Sequence, residues 1–433
     1  MAGQSLGTHS GAVTQTGFDT VLKDYYEGPV REYLNNKVTI LKYTDKSSRK
    51  WTGRRVVFPL NVGRNSGVGA RAESGTLPTA GKQDYVEAHI GAKFLYGRIE
   101  LTGPVIAASK NNRGAFVSAL KSEISGMRRD LRVDFARQTY GANIGASGVT
   151  GLVGQASGAV TIGDTATGAV LLDGIGTRYI KKGMQLNFGT EGAGELGASG
   201  TSVKFLDVTS VTSATALSCT NNSGGSITVD NDDFCARGDG SDNSYGHEIA
   251  GLEFIVSAND DDFQDIDTGV NPEWKANTLD GPGGGATRPL SLELMQLAID
   301  NTDEVAGEEP NLIIAHHSAR REYINLLTSD VRYSPEQLKG GFQKLTYAGG
   351  MSPMVFEFDR YAPYNKIYFL NTDYIQQYVL KDWKWADRDG SVMNRVANKD
   401  AWESFMHYYG NLGCDRRNAQ TVVNDVAVSN TIF

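Results

Sequence analysis

The apolar positions between residues 113 and 140 define the first element. Phe116, Leu120, Ile124, Met127, Leu131 and Phe135 recur at steps of four, four, three, four and four. That spacing lays one apolar stripe along an α-helix, and Gly141 stands where a helix end accepts a left-handed residue. At 1.5 Å per residue the helix is about 40 Å long, well beyond the usual globular length. The opposite face carries Arg113, Lys121, Arg128, Arg129, Arg132 and Arg137 against Glu123, Asp130 and Asp134. Taken alone, the pattern describes a long surface helix packed on a sheet.

A period of two governs the stretch before it. Val56, Phe58, Leu60 and Val62 alternate with Val57, Pro59 and Asn61, and Val86, Ala88, Ile90, Ala92, Phe94 and Tyr96 repeat the pattern. At Gly97 the phase passes to Ile99 and Leu101, which predicts a bulge. The glycine-rich residues 61–84 between the runs are too long for a tight turn, so they predict a hairpin with an extended tip. Its arms would reach about 40–55 Å. A hairpin of that length cannot bury both faces against its own domain and needs another chain. Upstream, residues 1–17 are small and polar. Residues 18–34 read as two short helices broken at Gly28-Pro29, either an arm on a neighbour or an ordinary first helix.

Beyond the long helix the helical period disappears. GAVTIG, AVLLDG, GMQLNFG, TSVKFLDVTSV, ALSCT and GSITVD are short β-type runs between glycines, predicting a small barrel or sandwich over residues 142–250. The remaining chain predicts a strand at 251–256 and a flexible GPGGG connector. It continues with an amphipathic helix over 292–305 capped by Ser291, a buried strand at 311–315 and a helix over 318–327. Strands follow at 354–358, 366–370 and 374–380, and a last strand within 413–428 returns to the core. The fold class is α+β, with helices and strands segregated.

Composition sharpens this picture in two places. The chain has 433 residues, 51 glycines and a formal net charge of −8. Residues 142–250 contain 20 of those glycines, with five basic and eleven acidic side chains, so most of the net charge sits in one inserted-looking module. A globally acidic chain does not look like a dedicated DNA-binding domain. Cys219, Cys235 and Cys414 are odd in number and match no metal spacing, so a reducing compartment is expected. The start shows no basic and apolar leader, and no apolar run nears bilayer length; the expectation is a soluble, intracellularly made protein.

The chemical motifs are weak. Gly192-Ala-Gly-Glu-Leu-Gly197 matches GxGxxG, but ASGTSVKFLDV follows where a phosphate-binding site needs a helix. His316 and His317 end a strand, and adjacent residues there point to opposite faces, so they do not share one metal easily. The acidic runs at 230–233 and 260–262 lack the spacing of a calcium loop and read as solvated, with weak cation binding as the alternative. Arg237-Gly-Asp239 is read as a chance tripeptide. No catalytic residue, metal ligand set or cofactor site is assigned.

The element order, carried by RRVVFPLNVG…YVEAHIGAKFLYGRIELTG, GAFVSALKSEISGMRRDLRVDFARQTYG and NLIIAHHSARREYINLL…PMVFEFDRYAPYNKIYFLNTDYI, resembles the Hong Kong 97-type major capsid proteins of tailed bacteriophages. The resemblance implies an N-terminal arm (1–50), an extended hairpin loop (51–101), a peripheral domain with a spine helix (102–141), a β-rich insertion (142–250), an axial domain (251–380) and a C-terminal return (381–433). It implies an icosahedral shell of hexamers and pentamers around double-stranded DNA, assembled in the host cytoplasm without a membrane. The expected partners are further copies of the chain, a scaffolding protein, a portal and a decoration protein. The hairpin contributes Val56, Phe58, Leu60, Arg64, Arg71, Glu73, Lys82 and Phe94 to contacts between subunits. The six stripe residues form the core of the spine helix, and Arg128, Arg129 and Arg132 face DNA or a neighbour. Loops at 330–350 and 381–399 are candidates for the ring centre. A β-rich tail or adhesion protein, or an enzyme with an unrecognised site, are the competing readings.

Overall fold

The computed structural model describes residues 38–105, 113–141, 150–173, 176–192, 195–196, 204–222, 224–238, 242–257, 262–283, 285–330, 346–347, 349–350, 353–387 and 392–428. The expected N-terminal helices over 18–34 lie outside the described residues, as do 331–345 and 388–391 of the expected ring-centre loops. Within this set the chain forms two compact units, one built from residues 94–134 and 380–409, the other from 39–93, 135–379 and 410–428.

In the first unit, the helix Arg113–Gln138 runs for 26 residues. Ile124 and Leu131 of its stripe are buried and Met127 is half-buried. The side chains of Phe116 and Leu120 lie outside the described set. Packed against the helix is the strand Lys93–Thr102, whose Gly97, Ile99 and Leu101 are buried in strict alternation. A Cβ on Gly97 would meet Leu131 Cδ1 at 2.7 Å and Met127 Sδ at 3.1 Å. Gly97 therefore marks close approach of strand to helix, and no bulge interrupts the strand there. The strand pairs with Ala401–Cys414, which also adjoins Ile375–Trp385.

The helix ends in the second unit. Phe135, Ala136, Arg137 and Gln138 are all buried, and Gly141 at φ +74° donates its N–H to Arg137 O. Arg137 thus departs from its expected place on the polar face: it forms a buried ion pair with Glu248. The expected strand at 251–256 is instead a short helix, Leu252–Ile255. Its first N–H groups donate to Thr139 O and Tyr140 O, which converts an apolar run into a buried turn against the helix end. Gly251 permits this, because a Cβ there would lie 2.5 Å from Gly141 N.

The core of this unit is a six-stranded mixed sheet in the order Asn277–Leu279, Thr421–Val423, Ile367–Leu370, Leu312–Ala315, Met354–Phe358, Thr346–Tyr347. Leu312–Ala315 runs parallel to Met354–Phe358 and antiparallel to Ile367–Leu370. Both central strands are buried at every residue, as their unbroken apolar sequences require. Met295, Ala298 and Ile299 of helix Leu292–Ala306, with Ala319 and Tyr323 of helix His317–Asp330, cover one face. Ser291 Oγ accepts the Leu294 N–H as the expected N-cap.

Between residues 152 and 237 six strands close into a barrel, the first of the two shapes expected from the glycine-punctuated runs. Val153, Val170, Leu186, Phe188, Leu206, Leu217, Cys219 and Cys235 are among the side chains that fill it. Burial pushes the thiols of Cys219 and Cys414 up to about 12 and that of Cys235 well above its ordinary value, so all three stay protonated.

Candidate inter-subunit surface

Strands Arg55–Asn61 and Tyr85–Gly91 pair antiparallel from Arg55↔Gly91 to Asn61↔Tyr85. Seven pairs span about 23 Å, roughly half the expected reach. The shortfall arises at Ala92, where the returning strand breaks and Lys93–Thr102 begins on another sheet. The expected change of phase is real, but it falls before Gly97.

One face of the hairpin is anchored inside its own chain. Val56, Phe58, Ala88 and Ile90 pack with Ile266, Trp274 and Tyr378, and Leu60 leans on the same cluster. Phe58 stacks parallel to Tyr378 at 6.2 Å, with the Arg49 guanidinium 3.9 Å over its ring. Arg49 Nη1 donates to Tyr378 Oη at 2.7 Å and pairs with Asp415. The apolar hairpin residues assigned to contact between chains thus include Val56 and Phe58, which the structure places in the core of their own subunit. Alternation made them visible as an apolar face; it carries no information about which chain covers that face.

The tip behaves differently. Residues 62–84 form no strand, and Arg64, Arg71, Glu73 and Lys82 are all exposed. Lys82 lies 3.7 Å from Asp84, an exposed pair of little energetic weight. Val68 is 69% exposed and Leu77 83%, values that leave apolar side chains uncovered within a single chain. In the other unit, Phe94 and Tyr96 stand half-exposed on strand Lys93–Thr102. Phe94 meets Tyr409 edge-on at 5.1 Å, and Tyr96 meets Phe405 and Tyr409 at 6.4 and 6.0 Å. Arg98 continues this row with Glu403 at 2.7 Å.

No family model and no curated protein sequence matches the chain. A solved structure, the cyanophage A-1(L) capsid asymmetric unit, is similar at a TM-score of 0.53 and 12% identity, covering 92% of this chain and 93% of that one. The chain has the fold of a phage capsid protein. More distant similarity extends to the capsid of a native GTA particle (TM-score 0.46, 7% identity, 99% and 96% covered). The satellite phage P4 procapsid is likewise distant (0.42, 9%, 93% and 91%).

Within this capsid fold the other candidate motifs take structural roles. Glu191–Gly192 and Glu195–Leu196 pair as a tight two-stranded ribbon, so the described part of GxGxxG opens no helix. In the acidic run at 230–233, Lys204 Nζ lies 2.6 Å from both Asp230 and Asp233. Burial opposes its charge, but these hydrogen bonds outweigh burial and raise its pKa. A lysine thus occupies the place considered for a cation, and no metal-ligating cluster occurs among the described residues. Arg237 ends a barrel strand. His316, just past the strand, is buried, and His317, the first residue of the following helix, is exposed. His316 Nδ1 accepts the Ser318 N–H at 3.1 Å, capping the start of the following helix. On the long helix Arg129 is exposed beside Asp130, while Arg128 and Arg132 are half-buried. No described helix is long and apolar enough to cross a membrane.

Proposed function

We propose that this protein is the shell-forming subunit of a tailed double-stranded DNA bacteriophage, assembling as hexamers and pentamers into the icosahedral head. The carrying observation is the capsid likeness across more than nine-tenths of both chains. The exposed apolar tip supports it independently, since Val68 and Leu77 have no cover in a single copy. In this reading the hairpin is the extended loop and Arg113–Gln138 is the spine helix of a peripheral domain. The mixed sheet is then the axial core, and the barrel is an insertion between the two. Shell stability comes from many modest heterologous contacts made strong by repetition around closed rings. The protein would reside in the virion after assembly in the host cytoplasm, with a scaffolding protein, a portal and a decoration protein as partners.

Negative-stain imaging of the expressed chain tests the proposal, alone and with its candidate scaffold. Shells, tubes or rings of six are expected; a monodisperse monomer under both conditions would refute it.

A further inference from the structure

Positive charge gathers where the barrel meets the start of helix His317–Asp330. Arg178 Nη2 donates to the carbonyls of Arg360, at 2.6 Å, and of Ala362, and its guanidinium lies 4.0 Å over the Tyr364 ring. Tyr364 in turn packs edge-on against His316 at 4.5 Å, and His317 follows at 5.6 Å. Arg320 stands 5.6 Å from the Phe358 ring and Arg360 stands 5.1 Å from that of Tyr361. Three separate segments thus bring arginines to one place, each guanidinium held on an aromatic face.

What these arginines lack is a direct ion pair. Among the described residues, no carboxylate lies within ion-pair distance of Arg178, Arg320 or Arg360. The nearest acids make hydrogen bonds to neutral donors. Asp359 is buried and accepts the Tyr361 N–H at 2.9 Å, and Glu357 accepts the Tyr43 hydroxyl. The histidines register the resulting field. Burial, then the charges of Arg178, His317 and Arg321, hold His316 down to about 3. His317 is lowered by burial and by Arg320, Arg321 and Arg360, against an opposing pull from Asp359. Both imidazoles are neutral near pH 7, so the charge is fixed on arginine and does not depend on titration. Exposed Lys181 and Lys182 extend it along the turn that carries Arg178.

We propose that this cluster, centred on Arg320 and Arg360 with Arg178 behind, holds the phosphodiester backbone of duplex DNA. Guanidinium groups bind phosphate oxygens in fork geometry, and aromatic platforms fix them in place beforehand. Spaced charges without direct ion pairs suit a polyanion better than one small anion. In a chain of net charge −8, attraction to DNA has to be local, and this cluster is one place where the local sign is positive. The source of the duplex rests on the shell reading; the binding itself does not.

The test uses the unassembled full-length chain and a labelled duplex, with binding followed by fluorescence anisotropy across a salt series. The parent should bind at low salt and weaken steeply as salt rises. Arg320→Gln with Arg360→Gln should weaken binding by about tenfold or more and reduce the log–log salt slope by about two. The corresponding double lysine variant should retain most of the binding, and Arg54→Gln, at an exposed turn before the hairpin, should change nothing. A parent that does not bind at low salt overturns the inference, as does a double glutamine variant that binds like the parent. So does full displacement of the duplex by millimolar inorganic phosphate, which would mark a single-ion site. Shells that form from a subunit unable to bind DNA would refute this inference alone; DNA binding without any assembly would refute the shell reading alone.

Discussion

His316 is held neutral by its surroundings, and that has a consequence for stability. Its Nδ1 lone pair already accepts the Ser318 N–H, and a proton there would break this bond beside Arg178. In the unfolded chain a histidine takes up its proton near pH 6.5, whereas in the fold it waits until about 3. Between those values the unfolded state binds a proton that the folded state refuses. The contribution is therefore complete above about pH 6.5 and is lost as pH falls toward 3. His316→Asn keeps an acceptor but cannot titrate, so its urea midpoint should fall less than the parent's between pH 7 and 4. Equal pH slopes in the two proteins would show that other groups govern acid sensitivity. Arg137 and Glu248 illustrate a different case, in which two buried ionisable groups are paired with each other.

Among the elements, the crossing of the long helix with strand Lys93–Thr102 depends on one missing side chain. A methyl group at Gly97 would sit 2.7 Å from Leu131 Cδ1, so strand and helix would have to separate. Gly97→Ala should lower unfolding free energy by about 1–3 kcal/mol in urea titration, the usual cost of overpacking a core. A loss below about 0.5 kcal/mol would mean that Leu131 can swing aside. This crossing also marks the limit of what the sequence reveals. The stripe Ile124, Met127, Leu131, the alternation around Val56 and Phe58, and the Ser291 cap were all legible, because each is a local period or a local hydrogen bond. Gly97 was read as a bulge because a phase change looks the same whether a strand is kinked or ends and restarts, here at Ala92. Leu252–Ile255 was read as a strand because four apolar residues carry no period, and acceptors more than a hundred residues away in sequence decide their conformation. The arginine cluster was invisible for a similar reason. Arg178, Arg320 and Arg360 lie far apart in the chain, and only the packing of the barrel on the sheet brings them together.

At the scale of the whole molecule, the hairpin divides into a part that serves its own chain and a part left over. The base is held by the Phe58–Tyr378 stack and the buried apolar cluster, so it needs no neighbour. Among the described residues the tip makes local bonds, such as those of Val62 and Gly63 to Asp84 O, and exposes Val68 and Leu77. Removing residues 65–83 should therefore leave the fold almost untouched. Far-ultraviolet circular dichroism should be superimposable, and the thermal midpoint should shift by no more than the few degrees that correspond to about 1 kcal/mol. Assembly should suffer instead. A shell multiplies each pairwise contact around its rings, so a modest loss per tip is repeated at every interface and the yield of closed particles collapses. A normal yield of shells from the shortened chain would remove the tip from any role between subunits. An unfolded product would show that the tip supports its own subunit after all, and only a folded chain that fails to close would leave the division between base and tip standing.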